Sequence, residues 1–191
     1  LLTTIALALA AMRLARSQVM LHDMKSVETL ARVNVLCVDK TGTITEPKME
    51  VEEVIPVSVT KEKLSKEISI FAQNMPHDNA TIKAVAKAFN QKFNIQATQI
   101  IPFTSVNKYS GAVIKNNTLL MGAPEFVLRD QFKNCQKEIN QYTRQGYRVL
   151  VFGKYPHVLR DEKEKLVEPV ELLGYILISN PIRKEAKSTF K

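Results

Sequence analysis

Asp39 lies where an apolar run ends and a turn of small and hydroxyl-bearing residues begins. The run, residues 33–38, is short and largely aliphatic, which predicts a buried strand. The seven residues that start at Asp39 read Asp-Lys-Thr-Gly-Thr-Ile-Thr. A strand would hold the Asp39 carboxylate at the edge of a sheet, while Gly42 lets backbone N–H groups turn toward an anion and Lys40 adds positive charge.

This arrangement suits a carboxylate nucleophile that attacks a phosphoryl group and forms an aspartyl phosphate. Such a transfer needs Mg²⁺ to screen the charge between carboxylate and phosphate, and Asp39 and Thr41 offer the oxygen ligands that this ion takes. The plainer interpretation is a strand that ends in an Asp-led turn, because Asp, Gly and Thr are common turn residues. A bare Asp-Gly turn would favour the plainer interpretation.

The string from Asp39 to Thr45 resembles the phosphorylation motif of P-type ATPases, the ion-pumping branch of the haloacid dehalogenase superfamily, with Ile44 where the family usually has Leu. The resemblance covers nearly the whole chain. It implies that Asp39 receives the γ-phosphoryl group of Mg·ATP and that Lys40 and Thr41 stabilise the transferred group. It also implies that Asp39 and Thr41 contribute to a Mg²⁺ site.

Residues 102–111 look like the loop with which this family binds adenine. Phe103 would stack on the base, and Lys108, five residues later, would lie near the base and the phosphates. Taken alone, Phe103 favours a core aromatic at a strand end, and Lys108 favours a solvated surface charge even more strongly. Their spacing, which is that of the family, favours the nucleotide interpretation.

Three other segments resemble nucleotide-binding parts of the family. Gly122 and Ala123 belong to a Gly-Ala-Pro-Glu string in which small residues would let the backbone approach the nucleotide, although Met121 replaces a Lys of the family. Arg148 lies in a segment whose Arg would contact ATP phosphate. Thr81 lies in a segment that would help to hold adenine.

Alternating helical and strand patterns predict an α/β fold around these residues. The resemblance implies a partial Rossmann-like, haloacid dehalogenase-like phosphorylation domain with an inserted α+β nucleotide-binding domain that contains an antiparallel sheet. The strand at 33–38 and a long apolar strand at 170–179 are expected to share one sheet. The expected domains are stalk and linker helices at 1–32, the phosphorylation domain at 33–48 and 169–191, the latter part truncated, and the nucleotide-binding insertion at 49–168.

Composition is that of a globular protein, with 45% hydrophobic and 24% charged residues among 191. The net charge of +8 (27 Lys and Arg against 19 Asp and Glu) suits a nucleic acid, an anionic membrane surface or a polyanionic ligand such as a nucleotide. Nucleic acid ranks last, because the basic residues are scattered and do not cluster with aromatic ones. No apolar run is long enough for a membrane-spanning helix.

The chain starts on Leu1 and ends inside an apparent helix, so we expect a piece of a longer protein. The resemblance implies ATP-dependent cation transport by the intact protein. Its partners would be ATP, the transported cation, and the transmembrane and actuator domains of the same polypeptide. The intact protein would be integral to a membrane, with this soluble piece at the cytoplasmic face.

The later Gly-Asp-Asn and Gly-Asp-Gly-x-Asn-Asp motifs of the family are absent from these 191 residues, so the isolated chain is expected to bind nucleotide weakly and to turn over little or none. One alternative is a soluble phosphatase of the same superfamily. Such enzymes usually carry a second Asp two residues after the first, where this chain has Thr41. The other alternative is a nucleotide-binding module without catalysis.

Overall fold

The computed structural model describes residues 2–23 and 25–189, which divide into two units between Asp39 and Lys40. The first unit contains the helices α1 (Leu2–Arg16) and α2 (Lys25–Leu30). Leu, Ala and Met give α1 a high helix propensity, and Arg13 and Arg16 in its last turn interact favourably with the helix dipole. Among the described residues, no helix has both the length and the apolar character needed to cross a membrane.

The predicted strand at 33–38 is wrong. These residues carry no strand pairing in the structure, and Val35 and Leu36 are 73% and 70% exposed. A strand is stable only when neighbouring strands satisfy its backbone N–H and C=O groups, and no described residue pairs with this segment. The apolar composition of residues 33–38 therefore does not by itself predict a strand, because a strand also needs a partner.

The second unit is built on one six-stranded antiparallel sheet with the strand order β1-β6-β5-β4-β3-β2. This is the antiparallel sheet that the sequence predicts. The strands are β1 (Glu50–Pro56), β2 (Gln99–Ile101), β3 (Tyr109–Ile114), β4 (Asn117–Gly122), β5 (Arg148–Tyr155) and β6 (Glu171–Ser179).

The prediction that 170–179 shares a sheet with 33–38 is also wrong. β6 is an inner strand of the six-stranded sheet and pairs with β1 on one side and with β5 on the other. Its long apolar run reflects burial on both sheet faces, which correctly indicates an inner strand without indicating which strands flank it. The sheet therefore continues past residue 168, and the partial Rossmann-like part of the predicted fold is not confirmed.

Helices cover both faces of this sheet. On one face lie α3 (Lys61–Asn74) and α4 (Ala80–Ala88), and on the other lie α5 (Pro124–Leu128) and α6 (Phe132–Arg144); a short α7 (Ala186–Thr189) follows the sheet. Side chains of β4 alternate between the two cores, so Leu119 packs on the α3 side and Leu120 on the α6 side. The rings of Phe71 and Phe152 meet edge to face on the α3 side, with centroids 5.6 Å apart.

Candidate active site

A cavity of about 530 Å³ opens on the sheet face that carries α3 and α4. This volume falls within the ordinary range for small-molecule sites. The cavity brings together all of the residues that the sequence analysis assigned to the nucleotide: Thr81, Phe103, Lys108, Gly122, Ala123 and Arg148.

Four separate segments position these six residues. Phe103 and Lys108 come from the loop between β2 and β3, and the β4–α5 junction supplies Gly122 and Ala123. Arg148 is the first residue of β5. Thr81 lies in the first turn of α4, which begins here because the Asn79 side chain accepts a hydrogen bond from the Ile82 N–H at 2.9 Å.

The loop between β2 and β3 is held by its own hydrogen bonds. Thr104 accepts twice, from the Lys108 N–H at its carbonyl (2.8 Å) and from the Asn107 N–H at its hydroxyl (3.1 Å). The Asn107 side chain also donates to the carbonyl of Glu162. Lys108 adopts a left-handed φ of 53°, which is uncommon for a residue with a β-carbon. These bonds hold Phe103 and Lys108 in their places at the cavity.

The atoms around Gly122 leave no room for a larger residue at this position. A β-carbon at this position would lie 2.5 Å from the Lys108 carbonyl oxygen and 2.4 Å from the Tyr109 β-carbon. The Ala123 N–H donates to the same Lys108 carbonyl at 2.9 Å. The small residue thus lets β4 approach the backbone that carries Lys108, a role that the sequence analysis did not anticipate.

Replacing Gly122 with Ala is expected to lower the free energy of unfolding by about 1–3 kcal/mol, because the added methyl group meets backbone atoms that cannot move aside cheaply. Gly111→Ala on β3 is the matched control and is expected to cost less, since its methyl group would meet only side-chain carbons at 3.1–3.3 Å. Urea denaturation of both variants measures the difference. Equal losses in the two variants would contradict this role for Gly122.

The charge of this cavity is positive. Lys108 and Arg148 are both exposed and line it, whereas its described lining includes no Asp or Glu side chain. The Lys108 ammonium also lies 4.8 Å from the centroid of the Phe126 ring, a cation–π distance that restrains the side chain. Two cations without a counter-charge in this lining favour an anionic ligand such as a phosphate chain.

The turn after Asp39 forms a second feature, Lys40–Ile44, in which the predicted tight turn at Gly42 is confirmed by its φ of 83°. Thr45, 1% exposed, closes this turn from inside. Its hydroxyl accepts from the Gly42 N–H and donates to the Lys40 carbonyl, each at 3.3 Å. This role of Thr45 was not predicted, although its position three residues after Gly42 is visible in the sequence.

Residues 180–183 hold the turn from the other side. The Arg183 guanidinium donates to the Gly42 carbonyl at 3.0 Å, and the Arg183 N–H donates to the Ile44 carbonyl at 2.9 Å. The Glu46 N–H donates to the Pro181 carbonyl at 2.8 Å. Residues 42–46 and residues 181–183, which are far apart in the sequence, are therefore joined here by hydrogen bonds. The contribution of Arg183 was not predicted.

Asn180 donates its side-chain amide to the Lys48 carbonyl at 2.9 Å. An ionised carboxylate has no proton for that carbonyl, so the structure gives a physical reason for Asn at this position. Nearby, the Lys48 ammonium lies 2.8 Å from the Glu46 carboxylate, and this hydrogen bond lowers the pKa of Glu46 and raises that of Lys48.

The three predicted catalytic residues are consecutive in the sequence, and the boundary between the two units falls among them. Asp39 is the last residue of the first unit and is exposed; Lys40 and Thr41, also exposed, begin the second. Lys40 lines another cavity, of about 800 Å³, together with Arg148, and Arg148 lines the first cavity as well. Lys40, a predicted catalytic residue, and Arg148, a predicted phosphate ligand, therefore line the same cavity of the second unit.

A magnesium ion would find only part of a site in this chain. The described residues contain no group of three or more His, Cys, Asp and Glu side chains arranged to hold a metal. Asp39 and Thr41 supply oxygen atoms, but Mg²⁺ demands a near-octahedral set of ligands, several of which are commonly waters and substrate phosphates. These side chains therefore do not by themselves define a Mg²⁺ site.

Known proteins that are similar to this chain are named as cation-transporting or calcium-transporting ATPases. The chain is 32% identical to a probable cation-transporting ATPase of Streptococcus pneumoniae, over 99% of this chain and 24% of the relative. It is 32% identical to a calcium-transporting ATPase of Mycolicibacterium smegmatis, over 99% of this chain and 23% of that protein. A probable cation-transporting P-type ATPase of Mycoplasma genitalium matches at 23% identity over 94% of this chain and 24% of that protein.

The chain is similar to one segment of P-type cation-transporting ATPases. No family profile matches it, but these relatives align along almost its full length, and it spans about a quarter of the length of each. The crystal structure of a zinc-transporting PIB-type ATPase has the same fold, with a TM-score of 0.63 at 20% identity over 96% of this chain and 27% of that one. A second crystal structure of a zinc-transporting PIB-type ATPase, in another state, aligns with a TM-score of 0.56 at 17% identity over 80% of this chain and 22% of that one.

Proposed function

We propose that this P-type ATPase segment binds ATP and accepts its γ-phosphoryl group in an ATP-dependent cation pump. One observation carries the proposal: six residues from four segments, chosen from sequence for nucleotide binding, line one cavity whose described lining holds two cations and no carboxylate. The names of the relatives support transport of a cation. The transmembrane and actuator domains, and a location at the cytoplasmic face of a membrane, are part of the same proposal.

In this proposal, Phe103 stacks on the base, and Lys108 and Arg148 neutralise the phosphate chain. A carboxylate oxygen of Asp39 then attacks the γ-phosphorus. The bond from that phosphorus to the β–γ bridging oxygen breaks, and ADP leaves with the electron pair. Lys40 and the Thr41 backbone stabilise the charge on the transferred group. Asp39 and Thr41 would hold Mg²⁺ in part, and the bound ion would supply further charge neutralisation.

The proposed domain organisation follows the sheet. We assign the nucleotide-binding domain to residues 46–179 and not to 49–168, because β6 pairs within the same sheet as β1 and β5. Residues 33–45 and 180–191 then belong to the phosphorylation domain, and 1–32 to the stalk. The bonded crossing of 45–46 with 181–183 supports a boundary at this point.

Thr41 supports a pump over a soluble phosphatase of the same superfamily. A phosphatase hydrolyses its aspartyl phosphate with the help of a general acid or base, and a Thr hydroxyl is a poor substitute for a carboxyl group in that role. Slow hydrolysis suits a pump, in which the phosphorylated form must persist while the ion moves.

The test is a titration of the ¹⁵N-labelled chain with ATP, in which NMR measures the amide chemical shifts at each ATP concentration. We expect saturable shifts at Ser110, Gly122 and Ala123. The basic helix α6, with Lys133, Lys137 and Arg144, is the internal control for non-specific attraction of a polyanion to a chain of charge +8. Shifts that do not saturate, or that centre on α6, would refute the proposed site.

A further inference from the structure

The β5–β6 loop, residues 156–168, is bonded to the β2–β3 loop that carries Phe103 and Lys108. Asn107, which is half-buried, connects the two loops, because its side-chain amide donates to the carbonyl of Glu162. Neither Asn107 nor any residue of the β5–β6 loop is among the described residues that line the 530 Å³ cavity. The bond therefore joins the segment that presents Lys108 to a part of the chain outside the cavity.

The β5–β6 loop contains no helix or strand, yet definite contacts hold residues 156–168 in place. Leu159 and Leu166, 1% and 6% exposed, are buried in the core on the α6 side of the sheet. Thr118 of β4 bonds the start of the loop: its hydroxyl accepts from the Leu159 N–H at 3.1 Å and donates to the His157 carbonyl at 2.8 Å. A loop anchored in this way can restrain the residue that bonds to it.

Arg129 holds the other end of the β5–β6 loop. Its guanidinium donates to the carbonyls of Leu166 and Glu168. Its backbone has a left-handed φ of 50°, which is strained for a residue with a β-carbon, and its buried Nε has no hydrogen-bond partner among the described residues. Both features cost free energy, and they accompany two bonds to the loop, which points to a functional reason for holding this loop.

Building on the proposed nucleotide site, we propose that the β5–β6 loop braces that site and that Asn107 is the positioning residue through which it acts. Asn107 directly precedes Lys108, whose φ of 53° is also left-handed, and the Asn107 N–H donates to the Thr104 hydroxyl. Fixing the Asn107 side chain therefore restrains the backbone that presents Lys108 to the phosphates. Because coupling between two sites is reciprocal, bound ATP steadies the loop by the same factor by which the loop strengthens ATP binding.

The experiment measures ATP affinity by calorimetry and, on the same samples, the rate at which trypsin cuts the β5–β6 loop after the exposed residues Arg160, Lys163 and Lys165. In the unaltered chain, saturating ATP is expected to slow these cuts at least about threefold, as reciprocal coupling requires. Cutting after the exposed Arg16, in the first unit, checks for inhibition of trypsin by ATP and is expected to stay unchanged.

Variants at the two ends of the loop test the coupling independently. Asn107→Ala is expected to weaken ATP binding about 3- to 10-fold, the effect of one hydrogen bond, and to abolish the protection of the loop even when ATP saturates this variant. Arg129→Lys keeps the charge but loses the fork that bonds two carbonyls, and it is expected to weaken ATP binding about 2- to 5-fold without altering the β2–β3 loop itself. Asn140→Ala, at an exposed position of α6, is the matched control and should change neither quantity.

The possible failures differ from one another. Weaker binding by Asn107→Ala with the protection of the loop intact would limit Asn107 to its own loop and overturn the coupling. Unchanged affinity in both Asn107→Ala and Arg129→Lys would overturn the positioning role. An unaltered chain that binds ATP without protecting the β5–β6 loop would overturn this inference and leave the proposed function standing. Absence of ATP binding by a chain that still unfolds cooperatively on heating would overturn the proposed function, and this inference with it.

Discussion

Asp39→Asn is expected to abolish phosphoenzyme formation in the intact protein that carries this segment. The amide is nearly the same size as the carboxylate but cannot act as the nucleophile, so incorporation of acid-stable phosphate from γ-labelled ATP should fall at least about 10³-fold. Nucleotide affinity should stay the same or rise, because the substitution removes a negative charge that repels the γ-phosphate.

Asp161→Asn is the matched control for this measurement. Asp161 lies in the exposed loop between β5 and β6, where its carboxylate accepts from backbone N–H groups of its own loop. The same chemical change there should leave phosphate incorporation within about twofold of the unaltered protein, as expected for a surface substitution. Phosphorylation that persists in Asp39→Asn would show that another residue is the acceptor.

Phe103→Ala is expected to weaken ATP binding by roughly 10- to 100-fold, the usual effect of removing an aromatic ring from a stacked base. The fold should survive, because the ring is 49% exposed and already contributes little to the core. Calorimetric titration of the 191-residue chain gives the affinity, and thermal unfolding of the same sample checks the fold.

Two variants make this prediction specific. Phe103→Tyr retains the ring and is expected to bind ATP within about threefold of the unaltered chain, since stacking needs only the aromatic face. Asp39→Ala, measured beside it, separates binding from phosphoryl transfer and is expected to retain the affinity. If Asp39→Ala lost binding while Phe103→Ala kept it, the ligand would lie at the Lys40–Ile44 turn and not in the cavity between α4 and β3.

Local sequence determined the types of most elements. Thr60 and Asn79 cap α3 and α4 through their side chains, and Pro124 begins α5. Gly146 follows α6 in a left-handed conformation with a φ of 93°. These features depend on residues within one or two turns of each other, so the chain sequence contains the information directly. The predicted nucleotide residues that line the cavity likewise came from short segments, through their resemblance to the P-type ATPase family.

The order of the strands in the sheet could not be predicted from such local sequence features. Residues 33–38 and 170–179 have similar apolar composition, yet only the second is a strand, because only it gains neighbours on both sides. Pairing joins β1 to β6 across more than a hundred residues, and nothing in either run specifies the other.

The sequence by itself predicted a reactive carboxylate at Asp39 and singled out the cations and the aromatic ring that line the cavity. Only the tertiary structure decided that Gly122 makes room for the Lys108 backbone and that Arg183 and Thr45 hold the turn after Asp39. The physical reason is distance along the chain. Burial, close backbone approach and hydrogen bonds between remote segments arise when the sheet assembles, and no short stretch of residues contains them.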